Sequence, residues 1–401
     1  MSLTSGARVA GGGEVLPAEA YAVALLSLPA MWPARLGALL GLGRPRPSGA
    51  VLFGGEPEVC RRTPGEVWAL VRAGGAADVP ALGALLKGKE DAEVVSAHWA
   101  AAANRLDVGW LWAQQRRFGV TVAVRGTPLY PPELADDPAA PIVVFRAGTR
   151  PGFDGRRVAI VGTRRCTPAG REIAVELGES LAMAGVRVVS GLALGIDGAA
   201  HQGALSVPDS APIGVVAGGF DRPYPARHQV LWREVLERGA LVSEWPLGTR
   251  SEGWRFPARN RIIAGLAEAV VVVESRETGG SMITADAALT RGIPVLAMPG
   301  SIRNPAAAGT NRLIREGATP MCGVDDVFDL LSLAPPGTAS PVRPAPSPAS
   351  AAVLAVVGWE PTPVGTLLTR TGLGLDALMV QLAHLELDGW VAGGGGWWQR
   401  T

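Results

Sequence analysis

From residue 157 to residue 298, short apolar, β-branched runs alternate with segments of helical period. The runs are RVAIV (157–161), VRVV (186–189), PIGVV (212–216), ALVS (240–243), AVVVVE (269–274) and PVLAM (294–298). Between them lie stretches such as GREIAVELGESLAMAG and SMITADAALTRG, whose apolar positions recur at helical spacing. Strands that are apolar almost throughout, rather than at alternate positions, predict a parallel sheet buried on both faces. Right-handed crossovers then make it a doubly wound sheet, here over 108–333. Such sheets bind ligands beyond the carboxyl ends of their strands, which directs attention to the loops.

The pattern differs on either side. Residues 17 to about 105 read as short helices (AYAVALLSL, WPARLGALLGL, PGEVWALVRAG, DAEVVSAHWAAAANRL), giving a predicted N-terminal helical domain over 1–107. The stretch LLSLPAMWPARLGALLG (25–41) is faintly similar to a helix-hairpin-helix, but Ala30, Met31 and Trp32 fill the hairpin where backbone N–H groups would meet phosphate. A small helical bundle is therefore the favoured reading of this stretch. Residues 334–350, rich in Pro, Ser and Ala, read as a linker without a core. After it, 351–401 shows three short helices and a glycine-tipped hairpin, the outline of a winged helix-turn-helix. Its third helix, LDALMVQLAHLELDG (375–389), carries Asp376, Glu386 and Asp388 and no arginine, so a protein-contact role is favoured over reading a major groove. Trp397, Trp398 and Arg400 leave the wing as its DNA edge.

With 401 residues, 48% of them hydrophobic, the chain is long enough for two or three domains. The net charge of +1 excludes a polycation, so affinity for nucleic acid has to come from a local patch. Apart from Lys87 and Lys89 the basic residues are all arginine, which by itself reflects codon composition. Cys60, Cys166 and Cys322 lie far apart with no CxxC pair, so neither a disulfide framework nor a zinc site is expected, and a reducing cytoplasm fits. Signal-peptide and membrane-span patterns are absent from the sequence.

The strand-end loops hold the chemistry. After the first run comes VGTRRCTPAGREIA (161–174), where glycine turns tightly into a helix whose N–H groups suit an anion. GxGxxG and GxxxxGK(S/T) are both missing and the second strand ends without an acidic residue, so neither a dinucleotide nor an ATP cofactor is expected. The next loop, SGLALGIDGAAHQGAL (190–205), has glycines and a small-residue helix that would let backbone approach a ligand, and sets Asp197 and His201 at i, i+4 spacing. They suggest an acid–base dyad, but no nucleophile accompanies them, and a capping Asp beside a satisfied His is the commoner arrangement. Further loops bring Arg222, Tyr224 and Arg227, then Trp254, Arg255 and Phe256 ahead of Arg259, Asn260 and Arg261 in FPARNRIIAG. Arginines at a helix start have the wrong sign for the helix dipole unless an anion meets them. The last loops, ESRETGGSMITADAAL and PGSIRNPAAAGTNRLIREGA, add Gly279, Gly280 and Ser281, and Thr310, Asn311 and Arg312. Five or six helix N-termini and many arginines on one sheet edge suit a chain of phosphates, and aromatics beside them suit unpaired bases. The candidate nucleic-acid residues are Gly162, Thr163, Arg164, Arg165, Gly191, Arg222, Tyr224, Arg255, Phe256, Arg259, Asn260, Arg261, Gly279, Gly280, Ser281, Thr310 and Asn311, with no catalytic or metal-ligating residue among them.

Together these motifs, with YPPELADDPAAPIVVFRAG (130–148), resemble the DNA-processing protein A (DprA/Smf) family. The resemblance runs strongly over roughly 110–320 and more weakly at both ends. It implies an extended Rossmann-like core, a SAM or helix-hairpin-helix-like N-terminal domain and a C-terminal winged helix. It also implies a non-enzymatic, homodimeric protein that binds single-stranded DNA, displaces single-strand-binding protein and loads the RecA recombinase in natural transformation. By the family motif, Thr163, Arg164, Phe256, Arg259, Asn260, Gly280 and Ser281 line the DNA groove. Leu194 stands where the family commonly has a basic residue, and Ala169 where it often has tyrosine.

Two other classes compete. A phosphoribohydrolase-type nucleotide enzyme is loosely similar at ETGGSMITADAAL, but Thr284 and Ala285 occupy the positions where it needs a carboxylate. A transcriptional regulator would read duplex DNA with the winged helix, which the acidic third helix disfavours.

Overall fold

The structure, a computed structural model, describes residues 16–42, 62–137, 139–333 and 343–400. The expectations for residues 1–15, for Cys60 and for most of the linker lie outside the described residues. Two compact units are present, dividing between residues 336 and 337.

The first unit is built on a nine-stranded sheet. Its strands are β1 (Thr121–Val124), β2 (Val143–Ala147), β3 (Arg157–Val161), β4 (Arg187–Ser190), β5 (Ile213–Val215), β6 (Ala240–Ser243), β7 (Ala269–Val272), β8 (Val295–Ala297) and β9 (Thr319–Pro320). The order across the sheet is β1-β2-β6-β5-β4-β3-β7-β8-β9. From β6 to β9 all neighbours pair in parallel, and β2 and β1 continue the β6 edge antiparallel. All six apolar runs are strands. The hydrophobic pattern did not single out β1, β2 or the exposed two-residue β9.

Chain order fixes where a ligand can enter. From β3 the chain winds outward through β4, β5 and β6, then returns to the other side of β3 for β7, β8 and β9. The order reverses between β3 and β7, so the loops that follow these two strands part and leave a crevice.

Helices cover both faces. On one face lie Arg255–Leu266, Gly280–Leu289 and Ala308–Arg315, whose Ile262, Ile263, Met282, Ala285 and Leu313 pack on Val161, Val189, Val215 and Val272. On the other, Pro168–Met183 and Ile196–Ser206 cover Val158, Ile160, Val188 and Val271. These two helices touch closely: a Cβ at Gly203 would lie 1.9 Å from the Val175 carbonyl oxygen, and one at Gly178 would lie 2.2 Å from that of Ala200. The glycine at 203 therefore serves helix packing.

The N-terminal helices share this core. Val23, Leu25, Leu39, Val67 and Trp99 join Val122, Phe145, Leu241 and Trp232 in one continuous apolar cluster. The boundary expected at 107 falls just ahead of the helix Val108–Arg117, which packs on the helix Ala18–Leu26.

The second unit has helices Pro348–Val356, Val364–Thr371 and Leu375–Leu387 with a small sheet, β10 (Thr362–Pro363), β11 (Val391–Gly394) and β12 (Trp397–Arg400). Val353, Leu367, Leu378, Leu382, Leu385 and Trp398 form its core. The β11–β12 turn uses Gly395 and Gly396, both at positive φ, the conformation glycine adopts at least cost.

Candidate nucleic-acid interface

The crevice between the β3 and β7 loops opens into a groove of about 660 Å³. Among the predicted residues, Gly162, Thr163, Arg164, Arg165, Tyr224, Phe256, Arg259, Asn260, Gly279, Gly280 and Ser281 line it. Arg164, Arg165 and Arg276 are exposed there, and none has a carboxylate partner among the described residues. The Arg164 guanidinium sits 5.0 Å from the centre of the Phe256 ring, and Phe256 lies 5.2 Å from Tyr224, whose ring is half exposed. Arg276 was not selected from the sequence, although a lone arginine between a strand end and Gly-Gly was the available signal.

Two expected anion sites are already filled by the protein's own carboxylates. Thr167 caps the helix Pro168–Met183 by accepting from Gly170 N–H at 3.0 Å. Its backbone N–H donates to Glu274 Oε2 at 2.9 Å and its hydroxyl to Glu274 Oε1 at 2.6 Å. Glu274 is buried against this helix start, so the anion that the dipole favours there is internal. Asp197, at the start of Ile196–Ser206, accepts from Gly191 N–H at 3.2 Å and is also held by the N–H groups of Gly162 and Ala193. Gly280–Leu289 differs. Its start carries no side-chain cap, Gly280 is exposed, and this N-terminus faces the groove.

The arginines of FPARNRIIAG also have internal partners. Arg259 is 4% exposed. It donates to the carbonyls of Gly191 (2.8 Å) and Val215 and to Asn260 Oδ1 (3.0 Å), and lies 4.0 Å from Asp197 Oδ2. Burial lowers its pKa to about 10, which still leaves it charged at neutral pH. The same burial raises Asp197, opposed by Arg259 and the three N–H donors. A Cβ at Gly191 would strike the Arg259 guanidinium at 2.2 Å, so this glycine admits an arginine rather than a ligand. Arg261 is paired with Glu244 at 2.7 Å, and Arg255 stacks 4.0 Å from the Trp245 ring with Glu252 at 3.7 Å.

The remaining predicted residues are placed elsewhere. Arg222 and Arg255 line a neighbouring cavity instead of the groove. Thr310 is fully buried, bonding to the Ala307 carbonyl, and Asn311 exchanges two hydrogen bonds with Gly300. His201 does not pair with the Asp197 carboxylate; its Nε2 lies 3.2 Å from the Ile213 carbonyl, which makes it a buried donor with a pKa lowered to about 4 by burial. On the winged helix, Trp398 is a core residue and Arg400 caps the Val357 and Leu354 carbonyls, so of the expected wing edge Trp397 alone is exposed. The described residues contain no cluster of metal-ligating side chains, and none of their helices is long and apolar enough to cross a membrane.

A family model described as DNA recombination-mediator protein A matches residues 121–332, just over half of the chain. The chain belongs to the DprA/Smf family. A model of the DprA winged helix domain matches residues 337–396. Among relatives, Protein Smf of Escherichia coli is 37% identical over 277 residues, covering 66% of this chain and 72% of its own length. DNA processing protein DprA of Bacillus subtilis is 38% identical over 220 residues, covering 55% of this chain and 74% of its own. The X-ray structure of DprA from Streptococcus pneumoniae superposes with a TM-score of 0.60 at 27% identity, over 79% of this chain and 98% of that one. This DprA/Smf chain thus has the family's Rossmann-like sheet and its winged helix.

Proposed function

We propose that this DprA/Smf protein binds single-stranded DNA in the β3/β7 groove and presents it to the RecA recombinase, displacing single-strand-binding protein, as a homodimer and without catalysing a reaction. One observation carries the reading: three exposed guanidinium groups, an uncapped helix N-terminus and a Phe–Tyr pair meet in one groove. Such a site takes phosphates without reading sequence and stacks bases that are unpaired. The family description as a recombination mediator supports the hand-over step. A nucleotide-hydrolysing enzyme is disfavoured because Asp197, the carboxylate that lines the groove, is buried, held by three N–H groups and faces Arg259. An oxocarbenium-forming reaction needs a carboxylate that can reach the sugar.

Fluorescence anisotropy of a labelled oligothymidylate and a matched duplex across a salt series tests this. The single strand is expected to bind more tightly, and Arg164→Ala and Arg276→Ala each to reduce the log–log salt slope by about 0.7. Equal or tighter duplex binding, or variants that bind like the wild type, would move the DNA site away from the groove.

A further inference from the structure

Beside the groove lies a second cavity of about 730 Å³, between the N-terminal helices and the loops after β5 and β6. Its volume is in the range of sites that hold a ligand. Trp32, Trp110, Trp245 and Trp254 form much of its wall. Trp254 meets Trp32 and Trp245 edge-on, at 6.3 and 5.7 Å between ring centres. Guanidinium groups brace the rings, with Arg35 3.9 Å from the centre of Trp32 and Arg255 4.0 Å from that of Trp245. Trp110 is 59% exposed and Trp254 47%, the latter with Arg255 5.1 Å over its ring and its indole N–H donated to Glu252 Oε2 at 2.7 Å.

The cleft and the groove share their dividing wall. Trp254 and Arg255 face the cleft while their chain neighbours Gly253 and Phe256 face the groove. Likewise Asp221 and Arg222 lie on the cleft side and Tyr224 on the groove side. A strand that stacks a base on Phe256 and continues over this wall enters the cavity whose wall includes Trp254 and Trp110. The cleft's carboxylate, Asp221, is already engaged by Arg222 at 3.5 Å and by Gly248 N–H at 2.8 Å, so it does not repel a phosphate as a free acid would. Arg117 is exposed on the cleft wall with no carboxylate partner among the described residues.

We propose that this tryptophan cleft is a second stacking site for unpaired nucleobases, taking the segment of single-stranded DNA that leaves the groove past Phe256. Trp254 and Trp110 supply the stacking faces and Arg117 a phosphate contact. The proposal rests on the groove reading above and extends it: the N-terminal helices, through Trp110, form part of the DNA path.

The test uses the full chain and oligothymidylates from about 4 to about 16 nucleotides, the span of site sizes seen for single-strand binders. Wild-type affinity is expected to step upward once the oligomer outgrows the groove. Trp110→Ala, at a largely exposed position, should remove that step, at least about fivefold on the longer oligomers, while leaving the shortest unaffected. Trp110→Phe should restore most of it. A photoreactive 5-iodouracil placed near one end of the long oligomer should crosslink to Trp110. If Trp110→Ala matches wild type at every length while Arg164→Ala is weak at every length, the cleft is overturned and the groove stands. Equal weakening by Trp110→Ala at all lengths also overturns it, because no separate subsite is then involved. If Arg164→Ala binds the shortest oligomers like wild type, the groove reading itself fails.

Discussion

Replacing Arg259 by methionine separates two roles that a DNA-binding assay alone would confuse. The motif places Arg259 among DNA contacts, whereas in the fold its guanidinium is almost wholly buried and turned toward protein carbonyls. The methionine keeps the apolar stem and removes three hydrogen bonds and the charge that faces Asp197. Breaking one partner of a buried ion pair costs about 3–5 kcal/mol, since the other charge is left uncompensated, and the 5% and 8% exposure of the two side chains leaves little solvent to soften it. Urea unfolding near neutral pH is the assay, with Arg164→Ala as a control at an exposed position. Arg259→Met should be less stable by that amount and Arg164→Ala within about 0.5 kcal/mol of wild type. The pH dependence has a definite sign. Burial already raises Asp197, and losing Arg259 raises it further. A raised carboxyl costs stability as pH climbs from its unfolded to its folded pKa, and that interval ends higher in the variant, so the variant's deficit should widen as pH rises past the wild-type titration of Asp197. Adding Asp197→Asn should recover part of the loss, making the double variant less damaged than the sum of the singles. If Arg259→Met unfolds like wild type yet binds single-stranded DNA poorly, Arg259 is a direct phosphate ligand and the structural assignment is wrong.

Two further outcomes follow from the buried layer beneath the groove. His201 titrates near 4 in the fold, against an ordinary value near 6.5, so the unfolded chain takes the proton first as pH falls. Its share of stability should drop by about 2 kcal/mol between about pH 7 and pH 5. His201→Gln should show that much less loss over the same range, and identical pH profiles would refute the buried neutral imidazole. Gly203→Ala would drive a methyl into the Val175 carbonyl and force Pro168–Met183 and Ile196–Ser206 apart. It should cost at least about 1–3 kcal/mol in urea unfolding, and a variant as stable as wild type would show that the two helices do not pack this tightly.

What the sequence revealed, and what it withheld, divides along the range of the interactions. The six central strands were legible because a strand buried on both faces writes its environment into every residue, as Val270, Val271 and Val272 do. The antiparallel β1 and β2 were less so, because they lie ahead of the repeating strand–helix unit. The crevice was legible in outline, since a glycine after β3 and a Gly-Gly after β7 are local facts, and topology alone brings those two loops together. What local reading could not supply was the partner of each charge. Arginines and open helix starts look alike in sequence whether they await a phosphate or a carboxylate. Thr167 finds Glu274 across 107 residues, and Arg259 finds Gly191 across 68. The puzzle of arginines at the start of Arg255–Leu266 is therefore answered from inside the molecule: Glu252, Asp197 and Glu244 meet Arg255, Arg259 and Arg261. That answer strengthens the case for the groove. With those arginines engaged, Arg259 holds Asn260, and the groove cations left for an external anion are those of the rim, Arg164, Arg165 and Arg276. On the proposed reading, a rim of arginines over a self-neutralised floor can follow a phosphate chain of any sequence, the property that sequence-independent DNA binding requires.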